Sequence, residues 1–339
     1  MTIPSRAELR ELVTSRRLPH RDRIRLGSLD TEVITDQPFY RDAILALFRT
    51  EPGQHAGRAE DGAAAKVVAL EAADLSDPIV TVPSDGLAVI RADDDRWIIA
   101  TEALTGHLFV TGAIELFLLV GARPANELHF RVHLSIALHR ALLLLERLFL
   151  HAAGIRFGDI GYAFVGDKGA GKSTLALALG MAGATVLADD HLVLRRDGSR
   201  FLASGCDGEA RLLEDAERHL FGEPLASARL VELGGVRKRE VAIGRYCASD
   251  PFREFPLNRL VFPAVGEKFQ RRSLSRGDAL IELIRATRSS HRFSGADDYS
   301  AYLDYLTALV ASVETFALEL SPRLDDLARL VAWVRDGDA

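Results

Sequence analysis

Nine consecutive residues form the clearest chemical pattern in the chain. They are Gly166, Asp167, Lys168, Gly169, Ala170, Gly171, Lys172, Ser173 and Thr174, and the first eight match G-x-x-x-x-G-K-[ST] completely. Glycines in this pattern let successive backbone N–H groups turn toward phosphate oxygens, a geometry that side chains would obstruct. The lysine then reaches the β- and γ-phosphates of a nucleotide, and the serine hydroxyl can ligate Mg²⁺. The pattern therefore predicts a nucleotide-phosphate site, with a merely flexible glycine turn as the alternative.

The residues on either side of this pattern predict the elements that a phosphate loop requires. Residues 161–165 (GYAFV) are a short apolar run typical of a buried strand, and residues 173–181 (STLALALGM) are rich in helix formers. Gly183 ends that helix, and residues 184–188 (ATVLA) indicate a second buried strand. The loop is thus predicted between a strand and a helix, whose N-terminus would attract the same phosphate.

Two carboxylates, Asp189 and Asp190, follow the second predicted strand. Because the ends of neighbouring strands in a βαβ unit face one crevice, we expect one of them near the γ-phosphate and the metal. A carboxylate there can ligate Mg²⁺ or accept the proton of an attacking hydroxyl group. The alternative is a turn or an exposed acidic pair.

Three further sets of residues are candidates for the site, and each also has a purely structural interpretation. His151 could lie beside the acidic pair, although a lone histidine is more often structural. Glu209 and Arg211 could face a metal and a phosphate, or they could be surface charges. Lys238, within the cationic run 237–239, could stabilise a transferring phosphate or bind an acidic substrate, or it could lie in a solvated loop.

The composition limits the classes of function. The 339 residues can form one large domain or two smaller ones. A net charge of −6 gives no general reason to expect nucleic acid or an anionic membrane as a partner. Two cysteines cannot build a disulfide framework or a four-cysteine metal site, so a reducing cytoplasm is the simplest setting. The apolar stretches are too short to span a bilayer, and no signal peptide is indicated.

The patterns predict an α/β protein with an N-terminal α+β section, residues 1–125, that could bind a substrate or partner, followed by a catalytic domain, residues 126–339. Within the first section, runs at 79–82, 87–92 and 96–100 indicate strands, the last two forming a hairpin, and residues 114–121 indicate a helix. A helix is expected at 127–147. The strand that enters the phosphate loop follows residues 151–157 in an antiparallel hairpin, and a second hairpin joins residues 191–196 to 200–204. The loop should therefore lie in a mixed sheet.

Taken together, residues 150–194 (LHAAGIRFGDIGYAFVGDKGAGKSTLALALGMAGATVLADDHLVL) resemble the catalytic core of HPr kinase/phosphorylase and its wider family of HPr-kinase-like proteins. That family has the histidine-led hairpin, the phosphate loop, the short helix and the Ala-Asp-Asp strand end in this order. The resemblance implies an ATP- and Mg²⁺-dependent kinase of a serine-type hydroxyl, on a P-loop kinase fold related to phosphoenolpyruvate carboxykinase. Relatives often form closed homo-oligomers.

The resemblance also implies a role for each candidate residue. Asp189 would be the general base, tuned by Asp190 and His151, and Lys172 would hold phosphate. Ser173, Asp189 and Glu209 would face the metal. Arg211 and Lys238 would bind phosphate with the loop.

The chain departs from the bifunctional sugar-regulating enzymes of this family at two places. Thr174 stands where they carry glutamate, and their glycine-rich segment is not found after Arg211, where the chain continues LLED. The expected acceptor is therefore a peptide, a protein or a small hydroxylated molecule rather than HPr itself. The alternative from another class is a nucleotide-sensing protein that binds ATP and transfers nothing. A nucleic-acid-acting ATPase is disfavoured by the acidic net charge.

Overall fold

The computed structural model describes residues 6–15, 18–48, 65–71, 88–91, 96–101, 104–111, 115–120, 127–225, 228–233, 236–287, 296–321 and 326–336. The chain divides into two compact units. The first contains Met1–Glu146 and Ser289–Tyr302, and the second contains Arg147–Arg288 and Leu303–Ala339. The sequence predicted a domain boundary after residue 125, before the helix 127–144. In the structure the first unit continues to Glu146, so the boundary lies after this helix. The substrate-binding role of the N-terminal section stays a prediction.

The first unit is built on one mixed sheet. Its elements are α1 (Arg6–Ser15), β1 (His20–Leu26), β2 (Leu29–Thr35), α2 (Pro38–Leu47), β3 (Ala65–Glu71), β4 (Ala88–Arg91), β5 (Arg96–Thr101), β6 (Leu104–Thr111), β7 (Glu115–Val120) and α3 (Glu127–Leu144). The strand order is β1-β2-β3-β7-β6-β5-β4, with β3 parallel to both β2 and β7. Helices α2 and α3 pack together, and the rings of Tyr40 and Phe130 lie 4.7 Å apart.

The helix predicted at residues 114–121 is wrong, because this segment contains strand β7. β7 pairs with β3 on one side and with β6 on the other. An apolar run of this length fits a buried strand and a buried helix equally well, and sheet pairing decides between them. The predicted hairpin of β4 and β5 is confirmed, as is helix α3. The strand predicted at 79–82 lies outside the described residues.

The second unit contains the phosphate-loop pattern and most of the described helices and strands. They are β8 (Arg147–Phe157), β9 (Ile160–Val165), α4 (Lys172–Met181), β10 (Thr185–Ala188), β11 (His191–Asp197), β12 (Arg200–Gly205), β13 (Glu209–Leu212), α5 (Glu214–Phe221), β14 (Arg229–Leu233), β15 (Val236–Ala242), β16 (Phe255–Val265), β17 (Gln270–Ser273), α6 (Arg276–Thr287), α7 (Ala296–Ser312, from Leu303 in this unit), β18 (Glu314–Leu320) and α8 (Leu327–Asp336). Strands β13, β15 and β14 form a separate small sheet.

The large sheet of the second unit is mixed, as predicted. β9, which leads into the loop, is antiparallel to β8 and parallel to β16. β10 is also antiparallel to β8. The strands on either side of α4 therefore run in the same direction but are not neighbours, because β8 lies between them. Their C-terminal ends still lie at one edge of the sheet, and the second predicted hairpin, β11 with β12, is confirmed.

Helix α4 is buried along almost its whole length. Residues 175–180 are all buried, and Leu175, Ala176, Leu177 and Leu179 join a core with residues of β8, β9, β10 and α8. A helix that is apolar on every side is expected in such a position. This packing fixes the start of α4, and with it the loop, against the sheet. Across the described part of the chain, no helix is long and apolar enough to cross a membrane.

Replacing Gly205 with alanine should destabilise the second unit. A Cβ atom at this position would collide with the backbone oxygen of Leu187, next to the end of β10. Because backbone cannot be displaced as easily as the tip of a side chain, we expect the free energy of unfolding to fall by about 1–3 kcal/mol. Urea unfolding of the purified variant measures this change.

Gly208 provides the matched control. A Cβ atom there would meet nothing within 4 Å. Gly208→Ala should therefore change the free energy of unfolding by less than about 0.5 kcal/mol. Equal stability of the two variants would contradict the close approach of Gly205 to β10.

Candidate active site

The phosphate-loop pattern forms a turn between β9 and α4. Gly169 and Gly171 have φ angles of 91° and 86°, in the left-handed region that disfavours residues with a Cβ atom. Gly171 is the N-cap of α4. Lys168 is exposed on the turn, and Ser173 and Thr174 are half-buried in the first turn of the helix. The glycines at 169 and 171 are thus required by the backbone conformation itself.

Lys172 is folded back over the loop. Its Nζ donates hydrogen bonds to the carbonyl oxygens of Gly166, at 2.7 Å, and Asp167, at 3.1 Å. Burial lowers the pKa of Lys172, while the carboxylates of Asp190 and Asp189 act in the opposite direction. The Lys238 ammonium lowers this pKa further. The two carboxylates and the second lysine are therefore each within electrostatic range of the Lys172 ammonium.

The two carboxylates after β10 have different surroundings. Asp189 is 4% exposed, and its Oδ2 accepts the backbone N–H of Arg211 at 2.9 Å. Asp190 Oδ1 lies 2.6 Å from Nδ1 of His151, a residue of β8. Asp189 is therefore buried, which contradicts the alternative of an exposed acidic pair. The predicted approach of His151 to the acidic pair is observed at Asp190.

The predicted basic residues lie on the small sheet rather than in a loop. Arg211 on β13 is paired in register with Glu240 on β15, and its Nε lies 2.9 Å from Glu240 Oε2. Lys238 lies two residues earlier on β15, and neighbouring Arg239 contacts the buried Glu217 at 3.2 Å. The solvated-loop alternative for Lys238 is therefore wrong, because this segment is a hydrogen-bonded strand.

A metal at this site would need oxygen ligands from outside the protein. The described residues contain no group of three or more His, Cys, Asp or Glu side chains that could hold a metal ion. Of the predicted donors Ser173, Asp189 and Glu209, only two are carboxylates. Mg²⁺ is commonly bound by one or two carboxylates together with substrate phosphates and water. The donor set therefore fits Mg²⁺ that arrives with a nucleotide.

Three residues at the site were not identified from the sequence. Glu240 holds Arg211, as described above. His191 lies 3.8 Å from Asp190 through Nε2 and 3.9 Å from Asp207 through Nδ1, and its ring packs 5.0 Å from that of Phe149. His191 directly follows the acidic pair, which was a usable signal. Glu240 gives no such signal, because strand pairing with Arg211 brings it to the site, and Asp207 lies in the connection between β12 and β13.

Taken together, the site can bind an anionic chain and remove a proton near one end of it. The loop and Lys172 provide donors and positive charge for phosphate, and a buried carboxylate lies within range of the same lysine. Positioning and charge neutralisation are the main requirements of phosphoryl transfer.

Comparison with known proteins finds similarity at the level of structure. No family model matches the chain, and no curated protein matches it. The chain is similar to a solved HPr(Ser) kinase/phosphatase from Coxiella burnetii, with 11% sequence identity and a TM-score of 0.28. The similarity covers 56% of this chain and 88% of that one. A likeness of this extent carries no functional conclusion, so the function must be argued from the site itself.

Proposed function

We propose that this protein is an ATP-dependent kinase that transfers the γ-phosphoryl group to a serine-type hydroxyl on a peptide, a protein or a small molecule. The observation that supports this most directly is the electrostatic proximity of Lys172 to Asp189 and Asp190 beside the phosphate loop. This reaction requires two groups from the protein: a cation that binds the phosphate, and a carboxylate that accepts the proton of the acceptor hydroxyl.

Nucleotide binding would use the loop and the small sheet. Backbone N–H groups of residues 166–174 bind the polyphosphate, and Lys172 exchanges its two carbonyl acceptors for phosphate oxygens. Arg211 and Lys238 add positive charge. Ser173 and Glu209 would hold Mg²⁺, which supplies charge neutralisation on the β- and γ-phosphates when bound, and Asp189, expected near the metal, would serve as the base instead.

Asp189 acts as the general base. The acceptor hydroxyl gives its proton to the Asp189 carboxylate as its oxygen bonds to the γ-phosphorus, and the bond to the β-phosphate oxygen breaks to release ADP. The backbone N–H of Arg211 fixes the orientation of this carboxylate. His151 holds Asp190 beside it through the 2.6 Å contact.

The acceptor class follows from this chemistry and from the acidic net charge. We propose a hydroxyl on a peptide, protein or small molecule, and neither nucleic acid nor a membrane surface. The protein would act in the cytoplasm, where ATP and Mg²⁺ are abundant.

Transfer of label from γ-labelled ATP tests the proposal. The purified protein is incubated with Mg²⁺, the labelled nucleotide and candidate peptides or a cell extract. We expect label on a second molecule, whose mass increases by about 80 Da, the mass of one phosphoryl group. A protein that binds ATP but labels no acceptor would instead be a nucleotide sensor.

A further inference from the structure

A cavity of about 700 Å³ lies beside the phosphate loop, and none of the reactions proposed above uses it. Its lining includes residues of the loop between Gly166 and Ala170, the end of β16, β17 and one side of α6. All of these belong to the second unit. The volume lies within the range of small-molecule pockets, roughly 300–1,000 Å³.

The position of the cavity in the sheet indicates which part of a ligand it would receive. β9 pairs with β8 on one side and with β16 on the other. The carboxylates and His151 belong to the side of β8 and β10, whereas the cavity belongs to the side of β16, β17 and β18. Neither Lys172 nor Asp189 lines it.

We infer that this cavity binds the nucleoside of the nucleoside triphosphate, an inference that rests on the proposed function. A polyphosphate on the loop whose γ end faces Asp189 must extend its other end away from the carboxylates. That end leads toward β16 and the cavity. The acceptor hydroxyl must approach the γ-phosphorus opposite the leaving group, which is on the carboxylate side. The cavity is therefore on the wrong side of the loop for the acceptor.

The apolar lining suits the face of a base. Phe262 and Pro263 line it and are buried, and the side chains of Val265 and Ile281 are exposed, at 61% and 51%. Large apolar side chains left in water beside a cavity are typical of a ligand-binding surface. A planar base placed against them would remove their apolar area from water.

Among the polar side chains that line the cavity, two have the chemistry to contact a nucleoside. Arg272 on β17 is exposed and makes no ion pair with another described residue, so its guanidinium is available to stack on the base or to contact the α-phosphate. Asp278 in the first turn of α6 lines the cavity and accepts a 2.7 Å hydrogen bond from Ser275 Oγ. A carboxylate fixed in this way can also accept hydrogen bonds from ribose hydroxyls.

The inference is tested by comparing ATP with tripolyphosphate, which lacks the nucleoside. Both are titrated calorimetrically, with Mg²⁺, into the full chain and into the double variant Val265→Ala, Ile281→Ala. We expect the Kd for ATP to rise about ten-fold, because the variant removes apolar contact with the base. The Kd for tripolyphosphate should change by less than about two-fold, since the loop is untouched.

The double variant Met181→Ala, Leu230→Ala is the matched control, since both side chains are also exposed and lie in the second unit outside the cavity. It should bind ATP as the unchanged protein does. The inference is overturned if the cavity variant binds ATP normally, if it loses both ligands equally, or if the unchanged protein binds neither. If the cavity variant loses affinity for ATP alone, and the unchanged protein labels no acceptor, the cavity still binds the nucleoside but the proposed kinase reaction is wrong.

Discussion

Replacing Lys172 with methionine should lower the rate of phosphoryl transfer by at least about 100- to 1,000-fold, the usual effect of removing one donor from a developing anionic charge. Methionine has a similar length but neither charge nor donors. The variant therefore loses the only loop side chain that donates to both Gly166 and Asp167 among the residues described. The rate is measured as kcat on the acceptor identified by labelling.

The burial of Lys172 makes this result interpretable. Burial lowers the pKa of its ammonium, so the folded protein disfavours the charge in the absence of a bound anion. An uncharged side chain of similar shape should therefore leave the fold intact. Arg196→Met, at an exposed position of β11, is the control and should retain full activity. A Lys172→Met enzyme that unfolds at the same urea concentration and still transfers phosphate would contradict the assignment.

The phosphate loop could be predicted because its information is local. Nine consecutive residues specify the turn, and the flanking apolar runs specify the strand and the helix that position it. The left-handed conformations of Gly169 and Gly171 are the direct consequence of those residue types. The two hairpins were also predictable, since each depends on a short alternation and a turn.

The rest of the site depends on contacts between distant segments. Nothing local predicts that the Arg211 backbone will hold Asp189, or that Glu240 will pair with Arg211, because both contacts depend on how β10, β13 and β15 are placed. The same holds for the cavity, because it is formed by residues of β16, β17 and α6 together with the loop. β7 was mistaken for a helix for the same reason, since its two pairing partners decide its structure.

Strand β8 lies between β9 and β10, and this position affects the proposed mechanism. The prediction assumed that the strands before and after α4 were neighbours, which would place Asp189 immediately beside the loop. In the structure β8 separates them and brings His151 to the same edge. Asp190, rather than Asp189, therefore has the imidazole as its partner. Asp189 is held by the backbone N–H of Arg211.

Replacing Asp189 with asparagine should lower kcat by about 100- to 10,000-fold, the range for removing a general base, while ATP still binds. The amide oxygen can accept the Arg211 N–H in place of Oδ2, so the local structure should be kept. Calorimetric titration with ATP checks binding, and label transfer checks the rate.

Asp197→Asn is the control for the loss of one carboxylate. Asp197 is exposed at the end of β11, contacts Arg195, and should tolerate the change without loss of transfer. The two variants differ from the unchanged protein by the same chemical group, so a difference between them reports the position of the carboxylate and not the net charge. If Asp189→Asn and Asp197→Asn both transfer phosphate at the full rate, Asp189 is not the base, and the proton must leave the acceptor by another route.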